Sequence, residues 1–292
     1  MRKNIGIVMA VALSAIASVG LTGCLDLKGD GETVLNDYKD CFSYVLDESS
    51  NTGFVDSGSS YKVIGDNETG TFTIEANNVR FHDGAPALSA RVTGLRQYLS
   101  ADSSYVYMDQ KPTNFSEGAF TIRNLRYGMI GNTWLTYDAG GPDEISTRYV
   151  VNVVPRRYNA VADTVTVRTI STGRDWMDVT FKSRIAVEFA HDGSSVSFSA
   201  SGMRFESEGT SVAFVLPQLP VGYTTTGYEV SAEEVIPKSP RGEELMQYRM
   251  TSFKAEMSLT YEGKKKMTFR MPDYPGGARY VTIVLYNRNM AD

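Results

Sequence analysis

Side chains suited to proton transfer near neutrality are scarce in this chain: it holds two histidines, His82 and His191, and imidazole is the group that titrates closest to pH 7. Each is followed by Asp-Gly, so His82-Asp83 and His191-Asp192 are candidate acid–base pairs or metal ligands. Asp-Gly is also a hairpin-turn dipeptide, and neighbours along a strand point to opposite faces, so both sites read as turns. The acidic doublets Glu233-Glu234 and Glu243-Glu244 supply carboxylates of the kind glycoside hydrolysis needs in pairs. That chemistry requires them across a cleft, and a stretch holding Pro237 and Pro240 reads as a solvated loop. No Gly-x-Ser-x-Gly, Gly-x-x-x-x-Gly-Lys or His-Glu-x-x-His motif occurs, and Cys and His show no metal spacing. The sequence therefore assigns no catalytic residue, no metal and no cofactor. An enzyme would have to assemble its carboxylates from distant strands.

What remains are aromatics beside carboxylates in two long stretches. Tyr98, Tyr105 and Tyr107 accompany Asp102 and Asp109 between Arg96 and Gly118; Tyr223 and Tyr228 accompany Glu229, Glu233 and Glu234 between Pro220 and Met246. Aromatic rings stack on sugars and carboxylates hydrogen-bond their hydroxyls, and loops carried by a rigid scaffold are the usual place for such contacts. The five tyrosines are the ligand-binding candidates.

One further reactive group is a cysteine. Arg2 and Lys3 precede an apolar run from Ile5 to Val19, the layout of a secretory signal peptide and too short for a comfortable transmembrane helix. The run ends in Leu21-Thr22-Gly23-Cys24. This resembles the lipobox of bacterial lipoproteins, in which small residues admit the peptidase and the cysteine thiol takes the lipid. The resemblance implies cleavage of residues 1–23, acylation of Cys24 and attachment to a membrane, with two or more acyl chains needed for firm anchoring. Residues 24–37 begin Cys24-Leu25-Asp26-Leu27-Lys28-Gly29-Asp30-Gly31-Glu32 and read as a flexible acidic tether. Leu25 follows the cysteine where an inner-membrane retention signal would place Asp, so the expected destination is the cell envelope at the outer membrane.

Without residues 1–23 the chain loses Arg2 and Lys3 from its 29 basic residues, against 34 acidic ones, and becomes more acidic than its overall charge of −5. Its one basic run, Lys264-Lys265-Lys266, is too short for a nucleic-acid surface. With Cys24 lipidated, Cys41 is alone and no intramolecular disulfide can form. Stability must come from burial.

Period-2 alternation dominates after residue 40, as in Thr71-Phe72-Thr73-Ile74-Glu75-Ala76, Ala119 to Leu125 and Thr164 to Arg168. With Gly-containing punctuation at Asp83-Gly84, Gly140-Gly141 and Asp192-Gly193, this predicts an all-β protein of antiparallel sandwich or barrel-like domains. The pattern is written twice. Shifted by 124 positions, Thr71 to Phe81 falls on Ser195 to Phe205, and Leu88, Ala90, Val92 and Leu95 fall on Val212, Phe214, Leu216 and Leu219. A one-residue slip would turn every side chain over, so the shared parity predicts two duplicated domains, 38–155 and 162–292.

Signal, tether and tandem β modules together resemble the envelope lipoproteins of Bacteroidota, some of which carry lipocalin-like or immunoglobulin-like domains. Asp163-Thr164-Val165 is similar to the O-glycan acceptor of that phylum. The resemblance implies a lipid-anchored, non-enzymatic binding or adhesion protein for a glycan or protein partner. A calycin-like carrier of a small apolar ligand and a structural subunit of an envelope assembly are the alternatives. The bulk of Phe72, Ile74, Phe81, Phe198 and Phe205 favours filled cores over carrier cavities. If the lipobox reading holds, Cys24→Ala abolishes incorporation of a clickable fatty acid and shifts the protein from the membrane pellet to the soluble fraction. Unchanged membrane association would contradict it.

Overall fold

The computed structural model describes residues 31–99, 106–108, 113–114, 121–128, 134–140, 148–180, 182–259 and 265–286. Strand is the dominant state among them, and no α-helix occurs among the described residues. The first module comprises β1 (Glu32–Tyr38), β2 (Cys41–Asp47), β3 (Thr52–Asp56), β4 (Ser60–Asp66), β5 (Thr71–Val79), β6 (Leu88–Leu95), β7 (Gln97–Leu99), β8 (Val106–Met108), β9 (Thr113–Asn114), β10 (Thr121–Gly128), β11 (Trp134–Gly140) and β12 (Arg148–Pro155). The second comprises β13 (Arg157–Thr169), β14 (Asp175–Asp178), β15 (Arg184–Phe189), β16 (Ser195–Met203), β17 (Val212–Pro220), β18 (Gly222–Tyr223), β19 (Gly227–Val235), β20 (Met250–Ser258), β21 (Lys265–Met271) and β22 (Arg279–Tyr286).

All pairings are antiparallel. In the first module β1-β4-β5-β6 faces β3-β2-β12-β11-β10-β9, and β7 and β8 form a separate hairpin. In the second, one sheet runs β17-β16-β15-β13-β22-β21-β20-β19-β18, with β14 beside β13. Val215 of β17 and Lys238, past β19, exchange backbone hydrogen bonds of 2.7 and 2.9 Å, so this sheet curls into a nearly closed barrel. The two designs differ at one place. β13 runs unbroken through the position where the first module bends at Lys39-Asp40 and splits the same strand into β1 and β2.

The duplication reaches the level of register. Val63↔Ile74 and Tyr61↔Ala76 recur as Val187↔Phe198 and Ile185↔Ala200, each 124 positions on. The two β-bulges between β5 and β6, at Phe72/Ile74 and Ala76/Val79, recur at Val196/Phe198 and Ala200/Met203. Bulges pin register and bend the strand. The second one needs a left-handed residue in each copy, Asn78 (φ 56) and Gly202 (φ 69). A buried acid recurs as well. The Asp56 carboxylate accepts the backbone N–H groups of Gly58 (3.2 Å) and Arg80 (2.9 Å); that of Asp178 accepts Thr180 N–H (3.0 Å) and Arg204 Nε (3.1 Å). Burial raises the pKa of Asp178, but the bonds from Thr180 and Arg204 outweigh it and hold the carboxyl below its ordinary range.

Inside the shared frame the cores differ. The second is filled by Phe198, Phe205, Phe253, Phe269 and aliphatic neighbours. The first places hydroxyls at matching positions. Ser43 Oγ is bonded to Ser59 Oγ (2.8 Å) and to Tyr61 Oη (2.7 Å), which meets Tyr137 Oη at 3.2 Å. Burial pushes the phenols of Tyr61 and Tyr137 well up, so both stay neutral. Cys41 donates to Tyr38 O at 3.1 Å, and burial raises its thiol to about 12, which keeps it inert. Phe72, Ile74 and Phe81 are buried in the first core and Phe198 and Phe205 in the second, so these bulky side chains fill space, as their size implies.

The modules meet through β2, whose residues Cys41 to Leu46 are all buried. Cys41, Ser43 and Val45 face their own core, whereas Phe42 and Tyr44 are covered by the second module. Phe42 packs edge-on to Phe189 (5.2 Å between centroids) and Tyr44 stacks on Tyr223 (4.4 Å). Phe42 and Val154 belong to the second module's core. A single residue, Arg156, separates β12 from β13, so the expected junction at 156–161 is shorter than the sequence suggests. A domain starting at 162 would lose Arg157 to Val161, the segment that pairs with β15. The tether also ends earlier than expected: Glu32 to Asp37 form β1, paired with β4.

Arg156 is buried and fully engaged. Its guanidinium donates to the carbonyls of Ala190 (3.2 Å), His191 and Ser57 (3.3 Å), lies 3.3 Å from the Asp40 carboxylate and covers the Phe42 ring. Its N–H donates to Asp40 O and its carbonyl accepts from Phe189 N–H. Truncation would orphan several buried acceptors at about 1–3 kcal/mol each. Arg156→Ala should therefore lower Tm by roughly 5–10 °C and split the calorimetric melt into two transitions. Arg156→Lys should recover less than half, because one ammonium cannot replace a planar fork. A single unshifted transition for Arg156→Ala would remove the clamp from the account.

Candidate functional site

A cleft of about 300 Å³ opens where β18 turns into β19 and runs beside the end of β20. Its walls are Thr224, Thr226, Gly227, Tyr228, Glu229, Glu256, Met257 and Ser258. Tyr223 pairs with Tyr228, so Thr224-Thr225-Thr226 make a tight connection closed by Thr224 N–H to Gly227 O at 2.9 Å. Gly227 is required: a Cβ there would sit 2.2 Å from Met257 O, so only glycine lets the two backbones come this close. The other module holds the same turn. Asn152 Nδ2 donates to Thr225 O at 3.2 Å, and Tyr223 donates its hydroxyl to Gly193 O at 2.6 Å while stacking on Tyr44.

Glu229 and Glu256 stand directly opposite one another across β19 and β20. Like charges in that relation repel. Lys254 resolves the conflict, with Nζ 2.5 Å from Glu256 and 3.8 Å from Glu229. The hydrogen bond that Lys254 donates to Glu256, and then the charges of both glutamates, hold the Lys254 ammonium above the ordinary lysine range. The cleft thus presents two carboxylates bridged by a cation beside Thr224 and Thr226, while the buried Ser258 hydroxyl donates to Thr226 O at 3.4 Å. These groups bind hydroxyls and amides in polar ligands. Tyr228, next to Glu229 in the strand, turns the opposite way into the core: it is 1% exposed, its Oη bonded to Tyr158 Oη (2.5 Å) and its ring against Phe189. Burial pushes both phenols well above 10.

The sequence candidates are thereby redistributed. Glu229 lines the cleft. Tyr223 does not face a ligand surface; it is an interface residue. Tyr228 is a core residue in a nine-residue strand, which corrects the irregular reading of Pro220 to Met246. The acidic residues Glu229, Glu233 and Glu234 hid an alternation that places Tyr228 and Val230 inward, and a change of parity past Ala232 that turns Val235 inward as well. Glu234 is paired with Arg249 at 2.6 Å; Glu233, Glu243 and Glu244 are exposed. Tyr98 and Tyr107 face each other in the β7–β8 register, but their side chains, with Tyr105, Asp102 and Asp109, lie outside the described residues, as do Cys24 and the signal segment. His82 and His191 are exposed in turns of different modules. Asp163-Thr164-Val165 lies within β13. Lys254, Glu256 and Arg156 escaped the sequence reading; the run Cys41 to Leu46, apolar but for Ser43, was the signal for a strand covered on both faces. Among the described residues no group of three His, Cys, Asp or Glu is placed to hold a metal ion.

Comparison with protein-family models, curated proteins and solved structures finds no match for this chain.

Beside the cleft, Lys265 opens β21 opposite Met257 and turns inward, 6% exposed. Desolvation lowers its pKa to about 7. A depressed lysine pKa means that the unfolded chain binds the extra proton between pH 7 and 10.5, so this residue's penalty grows as pH falls through that window and is absent above it. Lys265→Met should raise Tm by several degrees at pH 7 and scarcely at pH 11. An equal shift at both values in a thermal-melt series would show the ammonium to be solvated.

Proposed function

We propose that this chain is a lipid-anchored, non-enzymatic binding or adhesion protein of the cell envelope that holds a polar ligand, a glycan or an extended polypeptide, in the β18–β20 cleft. What carries the reading is the cleft's composition on a fixed frame: bridged carboxylates and the two threonines Thr224 and Thr226 on walls held by the Tyr44–Tyr223 stack and the Asn152–Thr225 bond. Such preorganisation spares the ligand the ordering cost of a mobile loop. The Cys41 thiol and the Tyr61, Tyr137 and Tyr228 phenols are sealed in packed cores and held neutral, and the Lys265 amine is turned inward, which supports binding over catalysis. The filling of both cores by large side chains weighs against an apolar-ligand carrier.

The test uses exposed residues, whose substitution changes stability by about 0.5 kcal/mol or less. Glu229→Gln and Lys254→Met should each reduce retention on a glycan or envelope-protein array about tenfold, with melting temperatures near that of the parent. Binding that is unaffected by both variants, or a parent protein that binds nothing on either array, would overturn the cleft reading.

A further inference from the structure

The duplication makes a specific comparison possible between the two outer sheet faces. Residues 43–56 map onto 165–178 and residues 149–154 onto 279–284, because Ser43↔Asp56 and Val151↔Val45 recur as Val165↔Asp178 and Val281↔Val167. On the first module the outer face of β3, β2 and β12 carries Val55, Phe42, Tyr44 and Val154, and the second module covers it. On the second module the same positions are Met177, Thr164, Thr166 and Val284. This copy of the face is open: Met177 is 57% and Val284 39% exposed. Of the seven large hydrophobics exposed among the described residues, five (Ile170, Met177, Val179, Tyr280 and Val284) share the outward parity of β13, β14 and β22. Clustered apolar exposure of this kind marks an interaction surface.

One of the elements that cover the first face, beside Phe189 and Tyr223, also has a duplicate. It is the turn Ala190 to Ser194, where a Cβ on Gly193 would lie 3.1 Å from Val55 and 3.2 Å from Phe42. The matching turn of the first module, Asp66 to Gly70, has an exposed tip at Glu68 and Thr69. It is acidic. Hydrogen bonds from Thr69 and Glu68 hold the Asp66 carboxyl below its ordinary range, and Glu68 adds a second charge. The open face brings positive charge to meet it: Arg168, 3.7 Å from the Asp175 carboxylate beside it, and Arg270 are exposed there at positions equivalent to Leu46 and Asp138 of the covered face.

We infer that the open β14–β13–β22 face receives the Asp66–Gly70 turn of a second copy of this chain, so that copies associate head to tail in the way the two modules associate within one chain. The contact is heterologous: each copy offers one turn and one face, and addition continues unless a ring closes. Charge sets the orientation: the tip side chains meet Arg168 and Arg270, whereas the inner turn rests on Val55 and Phe42 and gives its carbonyls to Arg156. This association is independent of what the cleft binds.

Cross-linking tests it at the pair equivalent to Gly193 and Val55, which is Thr69 and Met177. The full chain carrying Cys24→Ser, in excess nonionic detergent, keeps only the buried Cys41 thiol. Adding Thr69→Cys and Met177→Cys together should give, on mild oxidation, a ladder of dimers, trimers and longer species on a non-reducing gel. A mixture of the two single variants should stop at one dimer band. Glu68→Lys in the double variant should cut ladder yield about fivefold, the scale of one exposed charge pair. Sedimentation velocity of the Cys24→Ser chain without new cysteines should show salt-sensitive self-association. Two results would overturn the inference: a chain that stays monomeric in both measurements, or Met177→Cys alone dimerising as readily as the mixed pair, which would mean that two faces meet each other.

Discussion

Much of this structure depends on burying both faces of one strand. Six consecutive residues of β2, Cys41 to Leu46, are out of solvent, with Cys41, Ser43 and Val45 toward their own core and Phe42 and Tyr44 under the neighbouring module. Phe42 alone stands to gain about 1.5–3 kcal/mol from that burial, and its ring serves as the floor for the Arg156 guanidinium. A junction of one residue leaves little slack for independent movement. Arg156 therefore works as covalent link, hydrogen-bond donor and lid at once. Its bonds to Ala190, His191 and Ser57 fix the orientation of one module on the other.

The candidate site inherits that fixed orientation. The Thr224–Thr226 turn is a short connection of the kind that is mobile in many β proteins. Here its neighbour Tyr223 is stacked on Tyr44 and its Thr225 carbonyl is bonded from Asn152, so a wall of the cleft in one module is positioned by side chains of the other. Tyrosine was a sound candidate by residue type and served a different purpose. A ring that is flat, large and tipped with one donor fills an interface as readily as it stacks on a sugar.

The duplicated frame shows what a repeated β plan holds constant and what it frees. Bulge positions, left-handed residues and the buried Asp56 and Asp178 coincide in the two copies. Interior chemistry does not. Tyr61 and Tyr137 of one core stand where Ile185 and Phe269 stand in the other, a hydroxyl network exchanged for hydrocarbon. Backbone register tolerates such an exchange because it depends on the parity of inward positions, while the polar core survives because its hydroxyls find partners.

Residue order alone determined the all-β class, the duplication and its 124-residue offset. These rest on alternation and spacing along a strand, which are local properties written in consecutive residues. The membrane-anchor reading likewise rests on residues 1–24 as sequence. Only the tertiary structure decided that Tyr228 is core, that Tyr223 is a clasp, that the strand beginning at Glu32 continues into the expected tether, and that Glu229 meets Glu256 and Lys254. Each of these depends on which distant strand lies alongside, and that choice is made by the whole sheet closing and by one module covering the other. An alternating strand states which of its faces is apolar; it does not state what covers the other one.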